Sequence, residues 1–148
     1  MNILVLHGPN LNLIGVRSAQ VGERVTLDKI DRSLRAKARE LDVTLKNLQT
    51  HDVTKAITFL QRNRKWAHGL LFTPGPWAKS RYDILDTLEL IDISTVEIHL
   101  TSEFSVGDYA KGSIFKKAAV SVKKGHPLQV YQEALTKLNE HLSSASSK

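Results

Sequence analysis

No cysteine occurs anywhere in the 148 residues, so a disulfide framework and a thiolate metal site are both excluded. No apolar run approaches the length of a membrane span. The opening stretch MNILVLHGPN reads as a folding strand rather than a charged-then-apolar export signal, which makes a cytoplasmic location the default expectation. Internal repeats and low-complexity linkers are missing too, so one domain over residues 1–142 with a polar tail over 143–148 is sufficient.

The remainder is an ordinary globular composition, 41% hydrophobic and 24% charged. A chain of this size buries roughly 70% of its unfolded surface without staples. Lys and Arg number 21 against 15 acids, a net charge of +6, which favours anionic partners. Nucleic acid is one candidate and a small carboxylate another. The basic residues are spread out, with short clusters only at Arg62, Arg64, Lys65 and at Lys116, Lys117, so nucleic acid is the minority reading.

Hydrophobic periodicity alternates in type along the chain. Ile3, Leu4, Val5 and Leu6 form a continuous run suited to a strand buried on both faces. Leu27, Ile30, Leu34, Ala38 and Leu41 recur at helical spacing behind Thr26, a good N-cap. Residues 43–48 read as a second strand. Asp52 can cap a helix carrying Ile57 and Leu60. Residues 69–72 form a third strand, ended by Pro74 and Gly75. Ile84, Leu85, Leu88 and Ile91 mark another helix. Residues 95–100 and 118–122 are further strands. Pro127 suits the first turn of a last helix with Leu128, Tyr131, Leu135, Leu138 and Leu142 facing inward. Five strands interleaved with four helices imply an α/β fold, a doubly wound parallel sheet covered on both faces. Ligands bind such sheets beyond the C-terminal ends of the strands, so the informative loops follow Leu6, Phe72 and Leu100.

The first of these loops carries Asn10, Asn12 and Arg17 in GPNLNLIGVR. The asparagine amides can hold a polar ligand or a water, or they can simply close the turn. An arginine there can pair with a carboxylate. The second loop holds TPGPW, and the fourth strand holds VEIHL. Together these three segments, in order and spacing, resemble the signature of the type II dehydroquinases, and the order of elements agrees from Met1 to Leu142.

The resemblance implies a flavodoxin-like fold and a cofactor-free, metal-free dehydration of 3-dehydroquinate to 3-dehydroshikimate through an enolate, a step of the shikimate or quinate pathway. It implies a homo-oligomer, built of trimers into a dodecamer. It places Asn12 on the water that steadies the enolate, Arg17 beside the base, His99 as the general acid and Glu97 as its orienting partner. Asn10, Thr73, Gly75 and Lys79 fall on substrate-binding positions. Asp86 falls on an acid that reaches a neighbouring subunit, or is a solvated helix charge. Leu100 and Thr101 fall where backbone amides hold the substrate carboxylate. Trp77 is the bulky side chain placed to plug the hollow, should it be closed.

The sequence also departs from that family pattern. The tyrosine base belongs five residues after the loop arginine, where Gly22 stands, and no tyrosine occurs between Met1 and Arg81. Thr73 replaces an asparagine and Lys79 a histidine. Val106 and Ala110 occupy the arginine positions of the lid. Tyr82 and Tyr109 are the candidates to stand in as base, with Lys79 or Lys111 supplying charge. The expectation is therefore a dehydratase that is weak or inactive, or a degenerate relative that binds another small organic anion or serves as an oligomeric scaffold.

Overall fold

The fold follows from two faces of one sheet being apolar at once. In the computed structural model, which describes residues 1–146, β1 (Asn2–His7) lies second from one edge of five parallel strands. Its neighbours are β2 (Thr44–Gln49) and β3 (Gly69–Thr73), followed by β4 (Ser94–Leu100) and β5 (Ser121–Gly125), giving the order β2-β1-β3-β4-β5. This is the flavodoxin-like order, and its switch point lies between β1 and β3.

Side chains alternate along each strand. Ile3 and Val5 join Leu71, Val96 and Ile98 on one face. There they meet Ile30 and Leu34 of α2 (Leu27–Glu40) and Tyr131, Leu135 and Leu138 of α5 (Pro127–Ser146). Leu4 and Leu6 join Leu70 and Phe72 on the other face. Leu60 of α3 (Val53–Arg62) and Ile84, Leu85 and Leu88 of α4 (Tyr82–Ile91) cover them. Each fully buried Leu or Ile contributes roughly 1.5–3 kcal/mol, so the central strands anchor both layers.

Helix starts sit where the capping residues predict. The Thr26 side chain accepts from the Lys29 amide, and Asp52 accepts from the Thr54 and Lys55 amides. Pro127 opens α5.

Three local readings need correction. A fifth helix, α1 (Ile14–Gln20), forms inside the stretch read as loop. The last strand begins at Ser121 rather than Ala118, because Lys116–Ala118 is a 3-10 turn. The last helix continues through Ser146, so residues 143–146 are helical rather than tail, carried on from the turn that Leu142 seats in the core. Residues 147–148 of that tail lie outside the described residues.

Candidate active site

A cavity of about 320 Å³ opens at the C-terminal edge of the sheet, where the loops after β1, β3 and β4 converge. Gly8 ties two of these loops together. Its amide donates to the Thr73 carbonyl at 2.8 Å, which seals the β1 and β3 loops together. Asn10 then takes a left-handed conformation (φ 72°), and its carbonyl accepts from the Leu13 amide at 2.9 Å. Asn10 thus closes the turn and lines the cavity as well.

Asn12 does not line it. Leu11–Leu13 is a 3-10 turn, in which residues three apart share a side. Leu11 and Ile14 are buried, so Asn12 is turned outward and is exposed. The enolate-water role expected of Asn12 has no support at that position. The side chain available is Asn10.

Helix α1 carries Arg17 into the cavity wall. One guanidinium nitrogen donates to the Ser102 carbonyl at 2.9 Å and the other to Gln20 Oε1 at 3.1 Å. Its Nε is buried without a partner, and among the described residues no carboxylate lies within ion-pair distance of Arg17. The helix ends one turn later. The Glu23 amide donates to Ser18 O and the Gly22 amide to Ala19 O, with Gly22 at φ 78°. This is a Schellman cap, with glycine at the left-handed position. The position expected to hold the tyrosine base is therefore the stop signal of a helix.

From β4, Glu97 and His99 lie two residues apart and so share one face of the sheet. His99 Nε2 is 2.5 Å from Glu97 Oε2, which also accepts from Ser113 Oγ at 2.6 Å. Both side chains are buried, and His99 lines the cavity. With Nε2 held by Glu97, Nδ1 is the nitrogen left for a ligand. Glu97 Oε1 is buried and has no partner. Removal of this carboxylate strands the ring and the Ser113 hydroxyl together. Glu97→Ala is expected to lower unfolding stability by about 3 kcal/mol. Glu97→Gln, which still accepts one bond, is expected to cost about 1 kcal/mol; urea denaturation of the two variants measures the difference.

Of the other expected residues, Thr73, Gly75 and Leu100 line the cavity. Thr101 does not, and its amide donates to the Gly125 carbonyl at 3.2 Å, so it is not free for a carboxylate. Lys79 donates to the Lys111 carbonyl and lies outside the lining. Asp86 is exposed on α4, also outside it. Trp77 packs in the core against Phe72 and leaves the hollow open. Tyr109 lines the cavity, whereas Tyr82 is 59% exposed and does not, which removes Tyr82 as a stand-in base. Val106 is in the lining, at one of the vacated arginine positions, and Ala110 is not. Among the described residues no three His, Asp or Glu side chains gather closely enough to hold a metal ion.

One feature escaped the sequence reading. The Thr73 hydroxyl lies 2.6 Å from the Tyr131 hydroxyl, and Tyr131 lies 3.4 Å from His7 Nδ1. His7 Nε2 lies 3.0 Å from Asp31 Oδ1, which also accepts from the Asn47 amide at 3.2 Å. This polar chain runs from the cavity wall through the core to α2. Burial pushes the Tyr131 phenol well above its ordinary value, the Thr73 bond opposes that in part, and the Asp31 charge adds to it. The raised value has a sign for stability. Below the unfolded tyrosine pKa of about 10 both states keep the proton; above it only the unfolded state ionises, so stability falls as pH rises. Tyr131→Phe is expected to flatten that fall by about 1.4 kcal/mol per pH unit, read as the difference between urea melts of the two proteins at pH 9 to 11.

A flavodoxin-like α/β sheet with an ionisable cavity at its switch point is thus the class that fold and site define. The family Dehydroquinase class II matches residues 1–139, and the chain belongs to it. It is 36% identical over 119 residues to the 3-dehydroquinate dehydratase of Pelotomaculum thermopropionicum, covering 80% of this chain and 83% of that one. It is 31% identical to the 3-dehydroquinate dehydratase of Prochlorococcus marinus strain MIT 9301, covering 97% of each. The crystal structure of type II dehydroquinase from Butyrivibrio crossotus superposes with a TM-score of 0.83 at 22% identity, over 94% of this chain and 97% of that one. A 3-dehydroquinate dehydratase-like protein from Bifidobacterium longum gives a TM-score of 0.69 at 16% identity, over 97% and 98%. In the described residues no helix is long and apolar enough to cross a membrane.

Proposed function

We propose that this chain, acting as one domain, receives a small organic acid in the cavity between Arg17 and His99 and dehydrates 3-dehydroquinate weakly or not at all. The observation that carries this is the pairing of what is kept with what is gone. The Glu97–His99 couple and Arg17 converge on one hollow, while the tyrosine position is a helix-capping glycine. In this reading Arg17 attracts the carboxylate, His99 Nδ1 exchanges a proton with a ligand oxygen, Glu97 fixes the ring, and Asn10 supplies an amide. Thr73, Gly75 and Leu100 shape the walls. Asp86, exposed on α4, remains available to a neighbouring copy in a trimer-based homo-oligomer, the assembly that family membership suggests. A cytoplasmic location goes with this reading, and the partner is a small acid rather than nucleic acid or membrane.

The test follows enone absorbance in the ultraviolet after 3-dehydroquinate is added to purified protein. Slow or absent product is expected. Turnover at the rate of the tyrosine-bearing relatives would overturn the reading.

A further inference from the structure

The polar chain behind the cavity wall fixes the direction in which each of its protons points. It begins at Asp31, whose carboxylate can only accept. Oδ1 takes a bond from the Asn47 amide at 3.2 Å and lies 3.0 Å from His7 Nε2, so Nε2 carries a proton and donates it. In a neutral imidazole the other nitrogen is then a bare acceptor. His7 is buried, and the bonding partner of its Nδ1 is the Tyr131 hydroxyl at 3.4 Å.

Tyr131 has one hydroxyl proton to give. Directed at His7, it leaves the phenol oxygen to accept from the Thr73 hydroxyl, 2.6 Å away. Edge-on packing of the His7 and Tyr131 rings, with centroids 5.5 Å apart, holds the two side chains in that line. The reverse order, with Tyr131 donating to Thr73, strands His7 Nδ1 in the core without a donor. That penalty disfavours it by roughly tenfold or more.

Thr73 lines the cavity. With its proton turned back toward Tyr131, its hydroxyl has only lone pairs left for a ligand. Asn10 and Tyr109, on the same lining, can each donate or accept. A ligand hydroxyl can bond an oxygen that only accepts. A ligand carbonyl cannot, and sets two acceptors against each other.

Resting on the small-acid reading above, we infer that Asp31, His7 and Tyr131 are positioning residues that hold Thr73 as a pure acceptor, so that the site selects acids with a hydroxyl at that wall over acids with a carbonyl there. Arg17 takes the carboxylate, and Thr73 reads a substituent on the body of the ligand.

Nitrogen-15 NMR of the His7 ring, in the full chain at mildly alkaline pH, is expected to show a protonated Nε2 and a bare Nδ1. A proton on Nδ1 would overturn the inference. Calorimetric titration gives the second readout, with 3- and 4-hydroxycyclohexanecarboxylate set against the two corresponding oxo acids and quinate as reference. At least one hydroxy acid is expected to bind about tenfold more tightly than its oxo counterpart. Thr73→Val and Tyr131→Phe are each expected to abolish that preference. The first removes the acceptor, and the second frees the Thr73 proton for the oxo acid. A merely structural Tyr131 would weaken both acids together and leave their ratio intact. Absence of any preference in the unaltered chain, or a ratio that survives either substitution, would overturn the inference while acid binding leaves the small-acid site standing. Failure of quinate and all four other acids to bind would overturn the small-acid reading, and this inference with it.

Discussion

Gly8→Ala is expected to destabilise the protein by about 3 kcal/mol, the upper end of ordinary overpacking. A Cβ at residue 8 would lie 2.5 Å from the Pro74 carbonyl oxygen and 3.0 Å from the Thr73 oxygen. Both obstacles are backbone, and the Gly8 amide is itself bonded to Thr73 O at 2.8 Å, so neither loop can yield without breaking the seam beneath the cavity. For a domain of this size the melting temperature should fall by roughly 6–12 °C. Gly69→Ala is the contrast. Its Cβ would meet Leu138 Cδ2 at 2.9 Å and Leu142 Cδ1 at 3.1 Å, the far ends of flexible side chains that can rotate away. Thermal melts should therefore rank Gly8→Ala well below Gly69→Ala. Equal losses would mean that the β1–β3 seam is softer than its geometry suggests.

The same seam shows why parts of this molecule are legible in its sequence. Local chemistry announces itself: Thr26 and Asp52 cap the helices they precede, and the apolar run of β1 is buried on both faces as its composition suggests. Helix α1 is invisible for a physical reason. Its buried positions are Ile14 and Ser18, and Ser18 is held by hydrogen bonds to Val25 and Gly15 rather than by apolar packing, so no hydrophobic stripe marks it. The edge strand β5 is displaced by three residues because Lys123 and Lys124 occupy it, whereas the apolar residues that suggested a strand begin before it. Lysines on an edge are common, since they discourage pairing with other chains.

Site residues divide along a similar line. His99 and Glu97 are two apart on one strand, and strand periodicity alone brings them together. Asn10 and Asn12 cannot be ranked without knowing that Leu11–Leu13 forms a 3-10 turn. Tyr131 meets His7 and Thr73 only because α5 packs across β3 and β4, a contact that no local pattern encodes. Tyr109 and Tyr82 are separated by burial, which composition does not supply.

The largest expected effect concerns the missing base. Enone formation from 3-dehydroquinate should run about a hundredfold to ten-thousandfold below that of a tyrosine-bearing relative, the usual worth of a positioned general base. Reinstating the side chain should not recover it. Gly22 is at φ 78° and closes the Schellman cap of α1 through its own amide and that of Glu23. A tyrosine there has free space around its Cβ but carries a left-handed backbone penalty of about 1–2 kcal/mol. Relieving that penalty means unwinding the helix end that presents Arg17. Gly22→Tyr is accordingly expected to leave the rate at its low level. Tyr109→Phe separates the remaining route, since Tyr109 lines the cavity: an unchanged residual rate excludes it as base, and a further drop identifies it. Rapid turnover by Gly22→Tyr would show that the cap rearranges freely, and that a low rate is a matter of one side chain rather than of the backbone at residue 22.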